Sequence, residues 1–114
     1  TEAVHAAGGR IFAELSHAGS QSMMADRVPL APSVVTNPIY ARQPDEASEA
    51  DIAETIAAFA AAAARAKAAG FDGVHIHGGN GYLIAEFASP HANKRADRWG
   101  GDAAGRARFS IEPP

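Results

Sequence analysis

Gly70-Phe71-Asp72-Gly73-Val74-His75-Ile76-His77-Gly78-Gly79-Asn80-Gly81-Tyr82 is the stretch on which the reading of this chain turns. Gly70 stops what precedes it, Phe71-Asp72-Gly73 turns the chain, and Val74-His75-Ile76-His77 is a short apolar run of strand length. Three glycines then let backbone approach a ligand closely. Upstream, Ile52, Ile56, Phe59, Ala63 and Ala66 recur at spacings of four and three, which lines one face of a helix. Ser48-Glu49-Ala50-Asp51 has the form of a capping box at its start, and the alanines at 60–64 give it high propensity and a thin profile against a sheet. Further out, residues 10–16 (Arg10-Ile11-Phe12-Ala13-Glu14-Leu15-Ser16) predict a mostly buried parallel strand, bounded by Gly8-Gly9 and Ala18-Gly19. Residues 1–9 read as the last turn of a helix closed by glycine, and a further helix is predicted near residues 105–109. Strands alternating with helices in this order mean parallel βα units.

Two such units do not close a barrel, which takes about 250 residues. The pattern leaves two α/β architectures open: a piece of a (β/α)8 barrel, or a piece of a doubly wound sheet. Both place function at the carboxyl ends of strands, here residues 14–19 and 77–82. Between the units, residues 20–47 hold Pro29, Pro32, Pro38 and Pro44 and predict one long irregular loop. Such a loop either covers a site or is a tolerated surface insertion. Met23-Met24 is expected to pack within it. Glu14 stands out as a lone carboxylate in an apolar strand, so it needs a partner, a ligand or the strand's wet end. The start without Met and the Pro113-Pro114 stop after a single helical turn predict a segment of a longer domain.

Composition narrows the function classes. The 114 residues include 10 Lys plus Arg against 13 Asp plus Glu, a formal net charge of -3, with 46% hydrophobic residues. That is a globular composition with no field for a phosphate backbone, so nucleic acid is not expected as a partner. The chain has no Cys, which excludes a disulfide framework, thiolate zinc and a cysteine nucleophile within it. No apolar run is long enough for a membrane span and no leader is visible, so a soluble, cytoplasmic protein is expected. G-x-G-x-x-G, G-x-x-x-x-G-K-[ST] and G-x-S-x-G are all absent.

The polar residues around the second strand admit three readings. His75 and His77, two apart on a strand, share a face and could ligate a metal, with His17 and His91 as further candidates. Alternatively His77 and Asn80 both donate to one oxygen of a substrate, stabilising charge that develops there, while Tyr82, whose unperturbed pKa is near 10, serves as a general acid. The third reading is a glycine-rich turn beside a half-buried tyrosine with a satisfied hydroxyl.

The quoted stretch continues through Leu83-Ile84, Glu86-Phe87-Ala88-Ser89-Pro90-His91-Ala92-Asn93-Lys94-Arg95 and Asp97-Arg98-Trp99-Gly100-Gly101. Together with residues 9–19 and Arg106-Ala107-Arg108-Phe109, it strongly resembles the Old Yellow Enzyme family of flavin-dependent ene-reductases. The resemblance implies a (β/α)8 TIM barrel, of which this chain supplies the third and fourth strands as an internal segment of one FMN-binding domain. It implies FMN reduced by NAD(P)H and reoxidised by hydride transfer to a small activated alkene such as an enone. His77 and Asn80 would bind the substrate's electron-withdrawing oxygen and Tyr82 would protonate the alpha carbon. Glu14 stands where the family commonly has a Gln on the flavin pyrimidine edge, and is expected to lower the flavin potential or carry a raised pKa. Ser16, where many members have a bulkier aromatic, implies a roomier pocket beside the flavin. Remaining flavin contacts would lie outside the chain, so the segment alone is expected to bind no FMN and to be inactive. Members with a [4Fe-4S] cluster place its cysteines downstream. Two alternatives stand beside this: a metal-dependent barrel hydrolase using His75 and His77, and a catalytically silent barrel fragment.

Overall fold

A short helix, α1 (Glu2–Ala6), ends where Gly8 takes a φ of 76°, and the chain enters strand β1 (Phe12–Leu15). A computed structural model describes residues 1–112, so the terminal Pro113-Pro114, expected to stop the last helix, lies outside the described residues. After a 3₁₀ turn at Gly19–Gln21 come two-residue strands, β2 (Leu30–Ala31) and β3 (Asp45–Glu46), which pair in parallel. Helix α2 (Glu49–Ala68) follows behind the predicted capping box, Ser48 accepting from the Asp51 N–H at 3.1 Å and Asp51 from the Ser48 N–H at 2.8 Å. Gly70, at a φ of 81°, closes it. Then come β4 (Gly73–Ile76), a helix α3 (Leu83–Ala88) that the apolar pattern did not single out, and α4 (Ala103–Ile111). Helix α4 starts two residues before the predicted one, because Asp102 caps it by accepting from the Gly105 N–H at 2.8 Å, and it runs for more than one turn.

Strands β1 and β4 pair in parallel, Phe12 opposite Gly73 and Leu15 opposite Ile76, and the His77 N–H extends the ladder to the Leu15 carbonyl at 2.9 Å. Alternation along a strand puts Leu15 and Ile76 on the side of α2, where they line clefts with Phe59, while Phe12, Glu14 and His75 take the other side. That second side is uncovered, and Phe12 is 60% exposed. The predicted burial of the first strand therefore does not hold within this chain: α2 covers one face, and no described element packs on the other.

The buried core holds no residue of β1 or β4 and sits where Ala47, Ile52, Leu83, Phe87, Trp99 and Phe109 meet. Its outer wall is built from loops. Asn93 donates from its side-chain amide to the carbonyls of Phe87 and Trp99, both at 2.8 Å, and Arg95 donates to the Ala47 and Pro32 carbonyls. This corrects the reading of residues 20–47 as one irregular loop. Ala31, Pro32, Pro44 and Ala47 are buried, so this part of the chain is a wall of the core held by the β2–β3 pair. Met23 and Met24 do not pack as expected and are 74% and 55% exposed. Their arc is held by its backbone, since Arg42 donates to the carbonyls of Ser22, Met24 and Arg27.

At the amino end of the sheet, Asp72 ties three segments together. It accepts from the Ile11 N–H, from His5 Nε2 and from Arg10 Nη1, each at 2.8 Å, and these bonds, the backbone one first, hold its carboxyl far below the usual carboxylate range. The unfolded carboxyl titrates near pH 3.9, so the folded chain binds the proton more weakly than the unfolded one. The stabilisation is whole above about pH 4 and is lost as the pH falls further. We expect Asp72→Asn to remove this acid-side dependence. Unfolding midpoints of wild type and variant should then converge between neutral and acidic pH in thermal melts.

Candidate active site

The carboxyl ends of β1 and β4 bring the sequence-predicted polar residues to one place. His77 stands one residue past β4 with Nδ1 2.8 Å from Glu14 Oε1, the carboxylate that stands out in the strand. Glu14 therefore has both the partner and the wet position that its desolvation required, its side chain being 54% exposed and that of His77 only 18%. Tyr82 lies across the glycine turn with its ring centroid 5.2 Å from the His77 ring, tilted by 58°. The other ring nitrogen of His77, Nε2, is buried and meets no partner among the described residues.

The turn between His77 and Tyr82 is shaped by backbone. Asn80 adopts a φ of 55° and Gly81 one of 70°, a left-handed pair that asparagine and glycine tolerate best. Gln21, from the loop after β1, donates its side-chain amide to the carbonyls of both Asn80 and Gly81 at 2.8 Å. This holds the turn while leaving the Asn80 side chain exposed. Sequence reasoning missed Gln21, and nothing local marks it, because its role exists only once two segments 59 residues apart meet.

A second missed residue, Glu86, does carry a signal, being one carboxylate in the apolar run Leu83-Ile84-Ala85-Glu86-Phe87. It is buried in α3 and accepts from the Ser20 N–H at 3.0 Å and from the Ser20 hydroxyl, which locks the loop after β1 onto the helix after β4. Burial raises its pKa, against the opposing pull of the Ser20 bonds. Gly19 sits in this lock at a φ of 60°, and a Cβ there would strike the Glu86 carboxylate and come within 2.9 Å of the Leu83 nitrogen. Gly19→Ala is expected to destabilise the fold by about 1–3 kcal/mol, the usual cost of overpacking, read from denaturant unfolding. His17 is part of the same loop. Its Nδ1 accepts from the Gly19 N–H at 3.1 Å, and burial lowers its pKa.

Other sequence-predicted residues fall differently. Ser16 is exposed just past β1, and His75 is exposed opposite Glu14 in the ladder. The reading of His75 and His77 as a metal pair is not favoured: His77 Nδ1 is engaged by Glu14, and among the described residues no group of three or more His, Asp or Glu is placed to hold a metal ion. No described helix is long and apolar enough to cross a membrane.

The chain and its fold have close counterparts. A metal reductase of Desulforamulus reducens is 46% identical over 113 residues, covering 97% of this chain and 17% of that protein. An NADPH dehydrogenase of a Geobacillus species is 47% identical over 105 residues, covering 92% of this chain and 31% of that one. The chain thus spans between about a sixth and a third of the length of these relatives. Among solved structures, morphinone reductase matches with a TM-score of 0.89 at 33% identity, over 97% of this chain and 35% of that one. That likeness decides between the two architectures left open by the pattern in favour of a piece of a (β/α)8 barrel. The family model described as "NADH:flavin oxidoreductase / NADH oxidase family" matches residues 1–113, and this chain belongs to that family.

Proposed function

We propose that the protein containing this segment is an FMN-dependent oxidoreductase that takes reducing equivalents from NAD(P)H and reduces activated alkenes such as enones. The observation that carries this reading is the pairing of His77 and Tyr82, rings 5.2 Å apart at the mouth of the sheet, with His77 Nε2 buried and without a partner. A buried nitrogen of this kind costs free energy unless something bonds to it, and a substrate oxygen is suited to do so when that nitrogen carries a hydrogen.

The residues present also fit a flavin. The uncovered face of β1 and β4 offers Glu14 as a hydrogen-bond acceptor for the N–H on the pyrimidine edge, with the exposed Ser16 beside it. FMN, when bound, would supply the hydride. His77 and Asn80 would bind and polarise the electron-withdrawing oxygen of the substrate, favouring negative charge there as the alkene is attacked. Tyr82 would then deliver its phenolic proton to the alpha carbon. Any cluster-binding cysteines lie outside this cysteine-free chain. A cytoplasmic location fits the use of NAD(P)H.

The test is the visible absorption spectrum of the full-length protein under anaerobic conditions, before and after NADPH and then after an enone. A flavin spectrum that bleaches with NADPH and returns with the enone is expected. A folded protein that stays colourless with added FMN would overturn the flavin, and one that bleaches but does not recover with any enone would overturn the substrate class.

A further inference from the structure

We propose that Glu14 is a positioning residue that pins the hydrogen of His77 on Nδ1, so that His77 meets a substrate oxygen through Nε2 only as a doubly protonated ring. This inference rests on the assignment of His77 to substrate binding made above. Nδ1 lies 2.8 Å from Glu14 Oε1. A carboxylate accepts and does not donate, so the hydrogen in that bond belongs to the ring. A neutral imidazole carries one hydrogen, and with it on Nδ1 the Nε2 atom is a bare lone pair. Nε2 is also a buried atom that no group among the described residues satisfies.

An enone oxygen has no hydrogen to offer a lone pair, so a neutral ring held in this way repels the group it is meant to bind. A second proton turns Nε2 into a charged donor, and charged donors form the stronger hydrogen bonds. Glu14 is the counter-charge beside that proton. Among the described residues, Tyr82 lies across the turn with its ring 5.2 Å away and His75 lies two residues back on the same strand side, and neither is a carboxylate. Glutamine at position 14 would behave differently. Its amide can donate to a bare Nδ1, which moves the ring hydrogen to Nε2 and makes a neutral ring a competent donor.

The experiment is nitrogen NMR of the full-length flavoprotein labelled at histidine, comparing wild type with Glu14→Gln, and with Glu14→Ala in case the glutamine variant does not fold. In wild type the hydrogen of the neutral His77 ring is expected on Nδ1, moving to Nε2 when the carboxylate is removed. Kinetics supply the second readout. Wild-type kcat/KM for an enone is expected to fall as the pH rises, by at most about tenfold per pH unit for the loss of one proton, and Glu14→Gln to flatten that fall. A neutral wild-type ring with its hydrogen on Nε2, or a neutral ring that keeps it on Nδ1 in both variants, overturns the assignment. If NMR shows the expected move while no enone is turned over, Glu14 keeps its role and the ene-reductase reading falls.

Discussion

Tyr82→Phe in the full-length protein is expected to slow enone reduction by about 10²–10⁴-fold, the usual contribution of a positioned proton donor, while flavin reduction by NADPH keeps its rate. The split follows from where the phenol sits. Tyr82 ends the glycine turn and starts α3, with its ring beside His77 and away from the core. The Tyr82 side chain makes no capping bond to α3, so removing one oxygen takes away the proton without disturbing the helix. Rapid mixing of the two half-reactions checks it. Equal slowing of both would show that Tyr82 acts on the cofactor or on the fold and not in proton delivery.

The largest loss of stability is expected at Phe87→Ala, about 3–5 kcal/mol for truncating a buried aromatic. Phe87 is fully buried, and its ring stacks on Phe109 with centroids 4.3 Å apart and planes within 8°. It joins α3 to α4 at the centre of the cluster that includes Trp99 and Leu83. The Phe87 carbonyl also accepts from Asn93, so the helix and the loop wall share this residue. Denaturant unfolding of variant and wild type measures the difference. A loss below about 1 kcal/mol, the level of an ordinary surface change, would place the centre of the core elsewhere.

The elements were largely legible because their signals are local. The capping box at Ser48, the apolar spacing from Ile52 to Ala66, the stop at Gly70 and the apolar run after Gly73 each act within a few residues, and each stands in the structure as predicted save that the strand begins and ends one residue earlier. Helix α3 was not legible. Six residues carry less than two turns of periodicity, and the turn of glycines before it masks its start. The wall formed by residues 20–47 escaped for a different reason. Its strands are two residues long, and its buried prolines read as loop because proline lacks the N–H that a ladder needs.

The candidate site divides along the same line. Sequence by itself determined the residue types at the carboxyl end of the second strand, the order of two parallel βα units and the anomaly of a carboxylate in the first strand. Tertiary structure alone decided that Glu14 reaches His77, that Gln21 holds the Asn80–Gly81 turn, and that Glu86 closes on Ser20. Each of these contacts joins residues about 60 positions apart. Periodicity and capping are set by neighbours along the chain, whereas such partnerships exist only after parallel pairing of β1 and β4 sets their register. A one-residue slip in that register would turn the side chains of a whole strand to the other face and separate Glu14 from His77.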